Sequence, residues 1–182
     1  MVLETNRLVL RKWKETDAES LYKYAKNPLI GPNTGWSVHT SIENSRQVIR
    51  EVLSANENYA VTIKKNNTAI GSIGLNIGDK SNLDIKVDEA EIGYWIGVPY
   101  WGQGLIPEAV CELVRYAFDE LDISVIWCGY FDGNERSKRV SEKCGFRFHH
   151  TERNKEWSLI NEIKTQHITC ITKKEWRKQF NK

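Results

Sequence analysis

Two glycines separated by one residue, Gly102-Gln103-Gly104, stand where a strand-like run hands over to an amphipathic one. Glycine permits backbone shapes that expose successive N–H groups, and the first turn of a helix adds unpaired donors of its own. Together with the helix dipole, such a junction holds an anion without net positive charge, and a pyrophosphate is the anion it fits. The same spacing also serves a plain tight turn. It lacks the Gly-Lys-Ser/Thr of a nucleotide-hydrolase phosphate loop and the third glycine of a dinucleotide-binding turn, which disfavours both.

The run ahead of the turn carries a second signal. Ile92, Tyr94, Ile96 and Val98 share one face of a strand, while Gly93, Trp95 and Gly97 share the other. Glycines inside a strand mark either an ordinary bulge or the close approach of another group. A strand that splays from its neighbour leaves amides there, and a ligand with amides of its own, such as pantetheine, would pair with them like an added strand. A third signal is Asn134-Glu135-Arg136-Ser137-Lys138-Arg139. Asparagine after a strand is first of all a helix cap, and Ser137 lies one turn on, facing the same side. Lys138 and Arg139 are either solvated charges or long enough to reach a terminal phosphate.

These residues need a frame, and the chain reads as alternating elements without repeat or long linker. Leu8, Leu10 and Trp13 predict a first strand ending near Lys14. Thr16-Asp17-Ala18-Glu19 reads as a capping box opening a helix with Leu21, Tyr22 and Ala25 on one face, stopped by Pro28. Ser41 caps a second helix carrying Ile42, Ile49, Val52 and Leu53. Tyr59 to Lys64 and Ala69 to Ile77 form a hairpin through Asn66-Asn67, since amide residues tolerate turn conformations. A strand from about Glu89 to Val98 leads into the strongest helix, with Pro107 in its first turn and Val110, Leu113, Val114, Ala117, Phe118 and Leu121 as its stripe. Ser124 to Tyr130 is a strand, and Asn134 to about Cys144 a short helix ended by Gly145. Strands around Phe146–Glu152 and Gln166–Thr172 close the sheet. The order is mixed α/β around one central sheet.

The 182 residues suit one domain over 1–182, and 26 basic against 24 acidic side chains leave a net charge of +2. That charge argues against nucleic acid or an anionic membrane as a general partner. Cys111, Cys128, Cys144 and Cys170 form no CxxC pair and read as reduced thiols. His149 and His150, being adjacent, are expected on opposite faces of a strand, and His39 and His167 lack companions at metal-ligand spacing, so no metal is expected. The N-terminus does not read as a signal peptide, and no apolar stretch approaches membrane-spanning length. The reading is a cytoplasmic protein.

Taken together, the Glu91–Ala109 and Asn134–Phe146 stretches resemble the GNAT N-acetyltransferase superfamily, and within it the RimJ/RimL-like branch. The opening Glu4-Thr5-Asn6-Arg7-Leu8-Val9-Leu10-Arg11 and the closing Thr172-Lys173-Lys174-Glu175-Trp176 extend the resemblance over essentially the whole chain. It implies a mixed, largely antiparallel central sheet splayed in the middle and flanked by helices, with acetyl-CoA as cosubstrate in the notch. Ile96, Gly97 and Val98 would meet pantetheine. Trp101, Gly102, Gln103, Gly104, Leu105 and Ile106 would hold the pyrophosphate, and Asn134, Ser137 and Arg139 would complete the cofactor site. Three departures stand out: Trp101 where the wider superfamily has glutamine or arginine, Ile106 where a small residue is usual, and Ser141 where many members place a tyrosine general acid.

The implied reaction is direct attack of a neutral amine on the thioester, with no enzyme nucleophile. An α-amino group has a reference pKa of about 8 and needs a base at neutral pH. Glu91, at the start of the splayed strand, is one candidate, and Glu156, where the resembling family places an acid, is another. Backbone N–H near Ile96 would hold the oxyanion. Ser137 matches a serine to which the branch assigns protonation of the leaving thiolate, with Ser141 as alternative. Trp36, His39, Tyr94, Trp95 and Trp157 are candidates for the acceptor cleft or plain packing. The branch implies a protein N-terminal α-amine of ribosomal type as acceptor. A small-molecule amine such as a polyamine, amino acid or aminoglycoside, and a non-catalytic CoA-binding module, are the alternatives, with homodimerisation left open.

Overall fold

The computed structural model describes residues 1–180. The chain forms two compact units, one of Met1–Gly74 with Tyr94–Glu112, the other of Leu75–Gly93 with the chain from Leu113 on. The strands are β1 (Leu3–Glu4), β2 (Leu8–Arg11), β3 (Asn58–Ile63), β4 (Ala69–Ile77), β5 (Glu89–Ile96), β6 (Val125–Phe131), β7 (Arg147–Trp157) and β8 (Glu162–Thr172). The helices are α1 (Ala18–Ala25), α2 (Ile42–Val48), α3 (Leu105–Asp119), α4 (Glu135–Lys143) and α5 (Lys173–Phe180). Hydrogen-bonded neighbours follow the order β1-β2-β3-β4-β5-β6-β8-β7. β1–β2, β2–β3, β3–β4, β6–β8 and β7–β8 pair antiparallel, and β5–β6 parallel. This is the mixed α/β order around one sheet that the elements predict, with the largely antiparallel pairing that the family resemblance implies. The β5–β6 register holds Glu89↔Val125, Ala90↔Ile126 and Glu91↔Trp127 and goes no further, which is the expected splay.

In the first unit, β2 is shorter than expected because Arg11 turns inward. Its guanidinium meets both Asp17 oxygens at 2.7 and 2.9 Å, and donates to Asn67 Oδ1 at 2.8 Å, Asn67 O at 3.2 Å and Lys12 O at 3.1 Å. Asp17 Oδ2 also accepts from Lys14 N at 2.9 Å. The turn into α1 is therefore built on Asp17, not on a Thr16 capping box. The pair is buried, at 8% and 9% residue exposure. Removing one member leaves the other charge buried and alone, so Arg11→Ala is expected to cost about 3–5 kcal/mol, read by chemical denaturation. The buried face of α1 is Leu21, Tyr24 and Ala25, with Tyr22 only half-covered. α2 continues into a π-helical segment, Ile49–Leu53, whose wider turn breaks the helical spacing. Ile49 is buried, while Val52 and Ile42 face solvent. The β3–β4 hairpin turns as expected, with Asn67 left-handed at φ 55° and its N–H on Ile63 O at 2.7 Å.

In the second unit, β7 and β8 run longer than the sequence pattern predicts. Their outer halves are polar and exposed, without the alternation that marks a half-buried strand. Register shifts fall between Phe148 and His150 and between Glu152 and Lys155, with Asn154 left-handed at φ 54°. The first shift corrects the expectation that His149 and His150 point apart, since it brings their Nδ1 atoms to 2.8 Å. α4 ends at Cys144 and Gly145, the latter at φ 83°, as expected. Cys111, Cys128, Cys144 and Cys170 are thiols that form no disulfide among the described residues.

Candidate active site

The first unit carries the glycine turn. Gly102 and Gly104 have φ of 74° and 73°, a region L-residues rarely adopt. Two left-handed residues directly ahead of α3 reverse the chain twice in four positions. Leu105 and Ile106 are buried, at 4% and 6% exposure. Ile106, unusual in type, therefore fills core space and does not crowd the turn. Trp101 half-buries its ring and donates Nε1–H to Ile96 O at 3.0 Å, tying the turn to the end of β5. Gln103 Nε2 donates to Pro99 O at 2.9 Å.

Gly97 has a structural reason of its own. A Cβ there would meet the Tyr24 ring at 2.6 Å, so the close approach read from the sequence is that of Tyr24. Its N–H donates to Ile70 O at 2.8 Å and its carbonyl accepts from Tyr100 N at 2.9 Å, while Val98 O accepts from Trp101 N at 3.1 Å. At Gly93 a Cβ would meet open space. Tyr24 and Tyr100 meet edge to face with centroids 5.8 Å apart and hydroxyls 3.2 Å apart. The hydrogen bond to Tyr24, and then burial, raise the Tyr100 phenol above its ordinary value.

Among the acceptor candidates, Trp36, His39 and Trp95 come together in this unit, with centroids 5.3 Å (Trp36–His39) and 5.8 Å (Trp36–Trp95) apart. Trp36 and Trp95 also pack on the cluster of Trp13, Leu21, Ala25 and Ile49. His39 is buried, which lowers its pKa and keeps the imidazole neutral at pH 7, with Nδ1 2.8 Å from Ser45 Oγ. Tyr94 is half-buried, one residue from Trp95 and so on the other face of β5.

The second unit carries the remaining candidates. Asn134 caps α4, its Oδ1 accepting from Ser137 N at 3.2 Å. Ser137 is half-buried in the first turn of α4, and Arg139 is exposed one turn short of the helix end. Ser141 is buried with Oγ 3.5 Å from Cys128 Sγ, which makes it a packing residue. Glu91 is held at one oxygen, Oε2 accepting from Ser81 Oγ at 2.7 Å and Asn82 N at 3.1 Å, at the last pair of the β5–β6 ladder. Glu156 is exposed on β7 opposite Ile163. Trp157 packs edge to face on Phe131 at 4.8 Å, and its Nε1 is buried without a partner, as is Gln166 Oε1.

Two groups beside the turn escaped the sequence reading. Tyr24 gave no signal beyond its place on α1. Arg7 did, because it sits in the opening segment that carries the family resemblance, and it reaches Gln103 O at 2.9 Å.

Comparison with known proteins places this geometry. The acetyltransferase (GNAT) domain model matches residues 7–147. The uncharacterized N-acetyltransferase YoaA of Bacillus subtilis is 30% identical over 151 residues, 80% of this chain and 82% of that protein. The putative ribosomal N-acetyltransferase YdaF of the same organism is 43% identical over 65 residues, 36% of each chain. Among solved structures, a GNAT-family acetyltransferase from Bacillus anthracis superposes with a TM-score of 0.83 at 22% identity, covering 96% of this chain and 99% of that one. A positive-φ glycine pair before α3, a β5–β6 ladder that stops after three residues, and a family match spanning most of the sequence have one common account: the chain belongs to the GNAT N-acetyltransferase family.

Proposed function

We propose that this acetyltransferase moves the acetyl group of acetyl-CoA onto the α-amine of a protein N-terminus. The observation that carries the donor half is the pair of left-handed glycines, Gly102 and Gly104, immediately before α3. In the first unit, main-chain donors from Gly102 to Ile106 take the diphosphate, with Trp101 bracing the turn and Ile96 to Val98 against pantetheine. In the second, Asn134 and Ser137 stand at the start of α4 and Arg139 adds a cation for a terminal phosphate. The local match to a protein named as a ribosomal N-acetyltransferase supports the acceptor half.

The amine nitrogen forms a bond to the thioester carbonyl carbon, its proton passes to a base, and the C–S bond breaks to release CoA thiolate. Glu91 is the better placed base, because Ser81 and Asn82 fix its carboxylate, whereas Glu156 has only its strand position to orient it. Ser137 relays a proton to the leaving sulfur. Trp36, His39 and Trp95 form the acceptor side of the first unit, and Tyr94 would meet the acceptor only from the other face of β5.

The test is thiol release from acetyl-CoA against two pools, short peptides with free N-termini and small amines comprising polyamines, amino acids and aminoglycosides. Turnover is expected with the peptides and at least tenfold less with the small amines. The reverse ratio overturns the acceptor, and CoA binding without turnover in either pool overturns the catalytic assignment.

A further inference from the structure

We infer that Arg7 is a positioning residue for the diphosphate turn, holding Gln103 and Glu108 in place from the β2 side of the first unit. This rests on the donor site proposed above. The guanidinium bridges two parts of one anion site: Nη1 donates to Gln103 O at 2.9 Å, and Nε to Glu108 Oε2 at 2.6 Å. Nη2 lies 3.7 Å from where a Cβ on Gly104 would stand. Arg7 N also donates to Glu108 Oε1 at 2.8 Å, and Thr5 Oγ1 to the same oxygen at 2.5 Å. The anchor is firm from behind, since Arg7 O accepts from Lys64 N at 2.9 Å, and Thr5 Oγ1 accepts from Leu8 N at 3.0 Å.

The arrangement answers two needs of an anion-binding turn. Pinning the Gln103 carbonyl toward Arg7 fixes the peptide plane between Gln103 and Gly104, and with it the direction of the Gly104 N–H. A carboxylate in the first turn of α3 would repel a diphosphate bound at that terminus, and Arg7 neutralises it. Burial pushes the Glu108 carboxyl up, but the bonds from Thr5 and Arg7 outweigh this and leave it below its ordinary value. Because that value is depressed on folding, the clamp's contribution is present above the unfolded carboxylate range and is lost as pH falls. Lysine would supply the charge but not the planar fork that reaches both acceptors at once.

The test measures dissociation constants of CoA and 3′-dephospho-CoA by calorimetry for the full chain and for Arg7→Ala, with melting curves for both. The expected result is a loss of about tenfold for both ligands alike, since both carry the diphosphate. Unchanged affinity with a lower melting temperature would make Arg7 merely structural, and a loss confined to CoA would make it a ligand of the 3′-phosphate; either overturns the inference. If Arg7→Ala does not fold, Arg7→Lys carries the same comparison, with a smaller but equal loss for both ligands. If the unaltered chain binds neither ligand, the donor-site reading itself fails, separately from the role of Arg7.

Discussion

Gly104→Val is expected to abolish CoA binding at concentrations that saturate the unaltered protein, while the fold persists. The residue sits at φ 73°, where a β-branched side chain is held off by its own backbone. Holding a non-glycine residue in a sparsely populated region costs about 1–3 kcal/mol, and valine falls at the upper end. The chain relieves that strain by rotating φ, which turns the peptide units on either side of Gly104 and with them the donors proposed for the diphosphate. At the Cβ itself no collision adds to this, since it would find Arg7 Nη2 at 3.7 Å, an ordinary contact. The damage is thus confined to the direction of the N–H groups, and a loss of at least a hundredfold in affinity is expected in calorimetry with an unshifted circular-dichroism spectrum. Gly102→Ala makes the graded comparison, with φ 74° and open space around its Cβ: strain without bulk, and a loss of about tenfold. Equal affinity for all three proteins would remove the turn from the donor site.

The turn was legible from sequence because it depends on backbone, and glycine spacing with a following amphipathic stripe reports backbone directly. The same holds for the Asn67 turn, the Asn134 cap and the Gly145 helix end, each a local event set by one or two residues. What stayed hidden is set at long range. β2 stops at Arg11, where Asp17 and Asn67 gather around the guanidinium, and nothing in the first eleven residues announces Asn67. Gly97 reads as room for a ligand, yet the ring that fills the space belongs to Tyr24, more than seventy residues earlier. The β7–β8 extension escaped because backbone pairing and polar side chains hold most of it, with Trp157 on Phe131 the main apolar contact, which leaves no alternating pattern. For the site, the glycine junction and α4 start were visible as residue types, whereas the distinction between Ser137 and Ser141 required burial. Both are serines on the same helix, one turn apart, and only the thiol of Cys128 at 3.5 Å marks Ser141 as part of the core.

That distinction yields the second large effect. A thiol with a reference pKa near 8.5 leaves as a thiolate, and collapse of the tetrahedral intermediate is faster when a proton reaches the sulfur as the C–S bond breaks. Ser137 occupies the first turn of α4, with its N–H fixed by Asn134 and its side chain half-buried. A serine hydroxyl is too weak an acid to be the final proton source, so the role we propose for it is relay, with the proton supplied through water. Ser137→Ala is therefore expected to lower kcat by about tenfold to a hundredfold, at the low end of general-acid contributions. KM for acetyl-CoA should stay within about twofold, because the cap and the helix remain. Ser141→Ala is the internal comparison, since it removes a buried hydroxyl that packs on Cys128 and should leave kcat within about twofold. Equal losses in kcat and in affinity for Ser137→Ala would reassign the residue to binding, and a larger fall in kcat for Ser141→Ala would reverse the assignment. Raising the pH tests the relay further, because a leaving group that tolerates departure as the free thiolate no longer needs it. The deficit of Ser137→Ala relative to the unaltered protein should narrow as pH rises through the thiol range.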